Sequence, residues 1–145
     1  MWYSSLRRGN ELKIIVCVDK KNGIMFCGKR VSQDSTLREK VMEIAYGSRL
    51  LMSEYSKKQF KEYDDVIVDN DCLDNAAEED FCFVEYQTIP IDEVSEIYLF
   101  NWNRNYPADV FFEIEPKKYG FKRISKENFK GSSHDKITLE VYRRG

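Results

Sequence analysis

The sequence predicts an α/β protein with a mixed, mostly parallel central sheet, flanking helices and an antiparallel edge supplied by the C-terminal third. Three observations predict it. Over the first two-thirds of the chain, β-branched apolar runs alternate with amphipathic segments, the pattern of parallel strands joined by crossover helices. The last third carries strand-like runs with no helical period. The length of 145 residues, with 42% apolar and 14% aromatic, suits one domain with one core.

The elements follow in order. Residues 1–11 read as a loose extension, and residues 12–145 as a single domain. Leu12 to Val18 (LKIIVCV) is a continuous β-branched run and reads as a buried strand. Asp19 to Gly23 is a turn signalled by Asn22-Gly23, and Phe26 to Gln33 reads as irregular. Ser35 to Tyr46 reads as a helix, with Leu37, Val41, Ile44 and Ala45 on one face, Asp34 or Ser35 as its cap and Gly47 as its stop. Arg49 to Met52 is a short strand, Ser53 to Glu62 a second helix, Asp65 to Val68 a strand, and Asp71 to Glu79 a short helical or turn segment. Phe81 to Val84 and Glu96 to Asn101 are strands separated by a turn or helical stub at Pro90 to Val94. Asp109 to Ile114, Phe121 to Ile124 and Ile137 to Tyr142 are the closing strands. Alternation of Ile137, Leu139 and Val141 with Thr138, Glu140 and Tyr142 predicts that the last is half-buried.

Composition removes several function classes. Lys and Arg number 23 against 25 Asp and Glu, so the net charge of −2 offers no footprint for a phosphate backbone, and nucleic acid is not expected as a partner. No apolar run approaches the roughly 18 residues that a membrane span needs, and no signal-peptide pattern follows Arg7 and Arg8, so a cytoplasmic protein without membrane attachment is expected. Cys17, Cys27, Cys72 and Cys82 form no closely spaced pair and there is one histidine, so no metal site is expected. Cys17 and Cys82 read as small core residues.

Some groupings invite sharper readings. Ser133-His134-Asp135 has the letters of a hydrolase triad, but sequence neighbours cannot meet as a triad does, so a turn before the last strand is expected. Trp102, Tyr106, Phe111 and Phe112, with Arg104 among them, could stack on a base, but packing is the expected role. Asp69, Asp71, Asp74, Glu78, Glu79 and Asp80 read as a solvated acidic face, with a basic partner or weak cation site as the alternative.

The layout and several strings resemble dihydrofolate reductase over Leu12 to Arg144. Val31-Ser32-Gln33-Asp34 leads into Leu37-Arg38-Glu39, and Asp34 falls where that family keeps the acid that binds the pteridine ring. Ser48 to Met52 followed by Ser53-Glu54-Tyr55-Ser56 resembles the strand and helix start that hold the cofactor phosphates. Ser95 to Trp102 resembles the strand beside the active site, and Gly131 to Arg144 the closing hairpin strand.

The departures from the family are informative. Ser53-Glu54 stands where the resemblance implies Gly-Arg, and a carboxylate near a phosphate is repelled by about 1 to 4 kcal/mol. Glu85-Tyr86 stands where a Gly-Gly pair would let backbone approach the pyrophosphate at a helix N-terminus. Asp69-Asn70-Asp71 replaces the hydroxyl and basic residues for the 2′-phosphate. Gly28-Lys29-Arg30 replaces Pro-Trp, and Phe100 replaces the Thr that supports the acid. Asp34 and Ser56 remain as matches. No catalytic or cofactor-binding residue is therefore assigned: Asp34 is the candidate pocket acid, and Ser53, Glu54, Ser56, Glu85 and Tyr86 occupy the cofactor positions. If Asp34 lines a pocket against Phe100, its pKa should be raised; if it is only a cap, it should not.

The reading is of a degenerate member, non-catalytic or repurposed, that binds a small molecule or a protein partner and needs no cofactor. The alternative is an active NADPH-dependent oxidoreductase with a remodelled cofactor site. The chain also resembles short bacterial chains that sometimes carry the label ribonuclease Z. That nuclease uses a His-rich metal centre to activate water, which His134 alone cannot build, so nuclease activity is not expected.

Overall fold

The computed structural model describes residues 11–145; the extension expected over residues 1–11 lies, apart from Glu11, outside the described residues. Ten strands and three short α-helices follow in the order β1 (Leu12–Val18), β2 (Gly23–Phe26), β3 (Lys29–Arg30), α1 (Ser35–Ile44), β4 (Leu50–Met52), α2 (Glu54–Lys57), β5 (Ile67–Val68), α3 (Cys72–Asn75), β6 (Phe81–Phe83), β7 (Val94–Asn101), β8 (Val110–Phe111), β9 (Phe121–Phe129) and β10 (Ile137–Arg144). Among the described residues no helix is long and apolar enough to cross a membrane.

Seven strands form the central sheet in the order β5-β4-β6-β1-β7-β10-β9. The pairs β5–β4, β4–β6, β6–β1 and β1–β7 are parallel, whereas β10 runs antiparallel to both β7 and β9. The expected mostly parallel sheet with a C-terminal antiparallel edge is therefore present. Strand pleating sends alternate residues of β1 to opposite layers. Leu12, Ile14, Val16 and Val18 join one apolar layer with Leu51, Cys82 and Ile97. Ile15 joins the other, where Leu37 and Val41 of α1 meet Met52, Phe60, Phe83 and Phe100. Phe60 and Phe83 pack edge to face, ring centres 5.1 Å apart.

Several segments depart from the sequence reading. The irregular stretch expected from Phe26 contains a hairpin, because Cys27 (φ 51°) and Gly28 (φ 77°) both adopt positive φ and close the two-residue turn between β2 and β3. Asp109 to Ile114 shrinks to β8, which joins β2 and β3 in a separate three-stranded sheet. The second helix frays after α2 into a 3-10 turn at Lys58–Phe60. Strand β10 is buried on both faces rather than half-buried: flanked by β7 and β9, it keeps Thr138 inside by bonding it to Asn103 and Asn128. The exposed edge falls to β9, whose Lys122, Arg123 and Lys126 discourage pairing with another chain. Asp80, expected on a solvated face, is buried and bonded to Arg49 and to the Ala77 N–H.

The connection from β6 to β7 contains no α-helix, only a 3-10 turn at Ile91–Glu93. A crossover between parallel strands usually carries one. A cleft lies at the carboxyl ends of β1 and β6, beside Val16, Val84 and Glu85.

The two-layer core sets a stability expectation. Phe83→Ala should cost about 3 to 5 kcal/mol in urea unfolding, since it opens a cavity against Phe60. Ile124→Ala, on exposed β9, should change stability by no more than about 0.5 kcal/mol.

Candidate functional site

Asp34 caps α1 and is buried. Its Oδ1 accepts the N–H groups of Thr36 (2.9 Å), Leu37 (3.1 Å) and Ser132 (3.1 Å). Its Oδ2 accepts the Ser133 N–H (2.8 Å) and Oγ–H (3.1 Å) and faces His134 Nδ1 at 3.0 Å. Both oxygens are thus saturated by the protein. Gly131 permits the approach of this loop: an added Cβ would lie 2.8 Å from both Asp34 Cγ and Ile137 Cδ1. Burial pushes the Asp34 pKa up, but the Ser133, Ser132 and Leu37 N–H groups and the His134 ring outweigh it and hold the carboxyl well below the usual range. Of the two expectations for Asp34, this direction follows the cap and not the acid against Phe100. Phe100 packs edge-on against Phe129, and the acid's support comes from Ser132, Ser133 and His134 instead.

His134 is buried beneath Trp102, with stacked rings 4.5 Å apart. Its Nε2 faces Ser32 Oγ at 2.8 Å and the Tyr106 hydroxyl at 3.1 Å. The serine and acid that flank His134 in sequence suggested nothing usable, and the acid that engages it lies a hundred residues away. Of the aromatic stretch, Trp102 and Phe112 are buried and Tyr106 half-buried, as packing requires, while Phe111 remains 44% exposed.

A second constellation gathers the remaining candidates. Ser53 caps α2 and donates to Ser56 Oγ, which donates in turn to Glu85 Oε1 at 2.7 Å. Glu85 is buried and takes a two-pronged bond from Arg30, Nε to Oε2 at 2.9 Å and Nη2 to Oε1 at 3.1 Å. The Arg30 guanidinium also stacks on Tyr55, 4.4 Å from the ring centre. The N–H groups of Glu85 and Tyr86 both donate to Gln87 Oε1, at 2.9 and 3.1 Å. Glu54 is exposed in the first turn of α2, and its N–H donates to Asn70. Asp69 serves a local turn, accepting from the Asp71 N–H and the Asn75 side chain. Arg30 escaped the sequence reading as a functional residue, since its partner Glu85 is 55 positions away.

Beside this constellation lies the cleft at the ends of β1 and β6, of about 440 Å³, lined by Val16, Ile24, Glu85, Tyr86, Gln87 and Phe111 among others. Tyr86 is 47% exposed at its rim. Gln87 Nε2 is a buried donor with no hydrogen-bond partner among the described residues.

No family model matches the sequence, and no curated protein matches it. Among solved structures, the chain is similar to dihydrofolate reductase from Enterococcus faecalis, complexed with NADP(H) and RAB-propyl. The TM-score is 0.65 at 11% identity, over 94% of this chain and 98% of that one. The likeness is of fold: this chain has a dihydrofolate reductase-like α/β fold.

The Asp34 cluster generates a pH prediction. A carboxyl whose folded pKa is depressed stabilises the fold fully above its unfolded value of about 3.9. That stabilisation is lost as pH falls through the folded value. Asp34→Asn should therefore cost more than the ~1 kcal/mol of an ordinary helix cap at neutral pH. The gap between variant and parent should narrow steadily below about pH 4. Urea midpoints measured down the pH scale check both statements.

Proposed function

We propose that this chain is a repurposed, non-reducing protein of the dihydrofolate reductase-like fold that binds a small planar molecule of low charge in the cleft at the ends of β1 and β6. The observation that carries this reading is the Glu85 carboxylate, which takes up both Ser56 Oγ and the Arg30 guanidinium. The resemblance assigns that region to cofactor phosphates, and here the chain's own anion uses the available donors. Gln87 takes the two backbone N–H groups that would otherwise face an anion. The connection after β6 also supplies no α-helix N-terminus.

Other features support a small ligand. Open α/β sheets bind ligands at the carboxyl ends of their strands. The cleft volume falls within the range of about 300 to 1,000 Å³ typical of ligand sites. Tyr86 and Phe111 offer exposed ring faces. The buried Gln87 amide lacks an acceptor, a deficit of about 1 to 3 kcal/mol that a ligand carbonyl or ring nitrogen reaching it would remove. The net charge of −2 argues against nucleic acid as the occupant. A second reading, an NADPH-dependent oxidoreductase with a remodelled cofactor site, is favoured by the NADP(H) named in the structural neighbour.

Thermal shift separates the two. NADPH and NADH should leave the Tm unchanged, while members of a library of neutral heterocycles should raise it by mass action. Those shifts should vanish in Tyr86→Ala/Phe111→Ala; stabilisation by NADPH would favour the reductase. A further outcome follows from the buried ion pair. Glu85→Ala should destabilise by about 3 to 5 kcal/mol by stranding Arg30. Inorganic pyrophosphate should recover part of that loss in the variant and none in the parent.

A further inference from the structure

The polar array around His134 has a second feature beyond holding the β9–β10 turn to α1. Asp34 Oδ2, the two imidazole nitrogens and Ser32 Oγ stand in sequence, with contacts of 3.0 Å at Nδ1 and 2.8 Å at Nε2. This is the connectivity of an acid–imidazole–hydroxyl relay, assembled from the β3–α1 loop and the β9–β10 turn. We propose that Ser32 is an activated nucleophile, with His134 as its general base and Asp34 as the group that orients the ring, and that it accepts acyl groups from small activated esters.

The chemistry follows from the partners. Asp34 is an acceptor, so in the neutral ring the proton sits on Nδ1 and Nε2 is left with a lone pair. The groups facing that lone pair are two hydroxyls, Ser32 and Tyr106. Ser32 is the nearer of the two, at 2.8 Å against 3.1 Å, and its Oγ also lies 3.3 Å from the Tyr106 hydroxyl. The ring cannot swing away: Trp102 stacks on it, and Asp34 is fixed by N–H groups from both segments. The acid and the imidazole are buried, while Ser32 is half-buried.

The reaction balances without a further co-reactant. Ser32 Oγ adds to the ester carbonyl as its proton passes to His134 Nε2. The carbon–oxygen bond to the leaving alcohol then breaks, and that oxygen takes the proton from Nε2. Water repeats the sequence on the Ser32 ester, releasing the acid and restoring the serine. Ser133, although adjacent to His134, contacts Nδ1, the nitrogen that holds the proton, and its hydroxyl donates to Asp34 and not to the imidazole lone pair. This relay is independent of the cleft that the proposed function uses, and neither reading requires the other.

The test uses the full chain with a fluorophosphonate probe, peptide mass spectrometry and p-nitrophenyl acetate as the ester. Adduct should form at Ser32, at a rate at least about a hundredfold above that at Ser133 in the same molecules. It should disappear in Ser32→Ala, along with p-nitrophenol release. His134→Asn should slow labelling about a hundredfold. If His134→Asn does not fold, the ratio of Ser32 to Ser133 labelling within the parent protein carries the test. Absence of an adduct, an adduct on Tyr106 or Ser133 in place of Ser32, or a Ser32 rate that a folded His134→Asn leaves unchanged would each overturn the proposal.

Discussion

The Asp34 carboxylate is the contact on which the geometry of the whole polar region depends. It caps α1 through Thr36 and Leu37 and, with the same two oxygens, holds the Ser132 and Ser133 backbone and the His134 ring. One side chain thereby joins the first helix to the turn that feeds the last strand. Charge-assisted bonds to backbone N–H groups are stronger than neutral ones, and a buried carboxylate left without them would be costly. The sheet depends on this indirectly. Strand β10 lies inside the sheet, between β7 and β9, so its entry point must be fixed for the edge beyond it to pair in register. Placement of His134, Trp102 and Ser32 follows from the same anchor.

A similar device operates at Glu85. There the chain also brings a carboxylate to a cluster of donors drawn from distant segments, Arg30 from the β2–β3 hairpin and Ser56 from α2. Stacking of Arg30 on Tyr55 and the bond from Arg30 N–H to the Tyr55 hydroxyl tie the small sheet to α2. In both places an internal anion organises the backbone around it.

The architecture was legible from the sequence because it rests on local pattern. The apolar runs at Leu12 to Val18, Phe81 to Val84 and Glu96 to Asn101 each supplied a strand of the central sheet, and Asp34 caps the first helix, which ends at Ile44, two residues short of the expected Tyr46. Features set by long-range partners were not legible. Cys27-Gly28 closes a hairpin that usually announces itself with Asn-Gly or Asp-Gly. Asp80 reads as one more acid in a solvated run until Arg49 is brought beside it. His134 shows the limit most clearly. Its sequence neighbours Ser133 and Asp135 predicted only a turn, whereas folding supplied Asp34 and Ser32 from about a hundred residues away. Periodicity reports which face a residue takes, but carries no information about which polar groups meet across a sheet edge.

The tethered carboxylate at Glu85 bears on what the adjoining cleft can accept. Even a short flexible tether gives an effective concentration in the millimolar range, and a carboxylate held by the segment directly after β6 is more constrained than that. A free anion would have to outcompete it and would leave Glu85 without partners in a buried setting. Displacing Glu85 by movement of residues 84–93 would first break the Gln87 bonds that brace this helix-free connection. Binding of a phosphate-bearing ligand therefore opposes three terms at once: a lost ion pair, a stranded carboxylate and a loosened loop. A ligand of low charge that enters beside Tyr86 and Phe111 opposes none of them, and it can leave the Arg30–Glu85 pair in place as one wall of its site. On the proposed reading, Glu85 and Tyr86 set the polarity of the cleft.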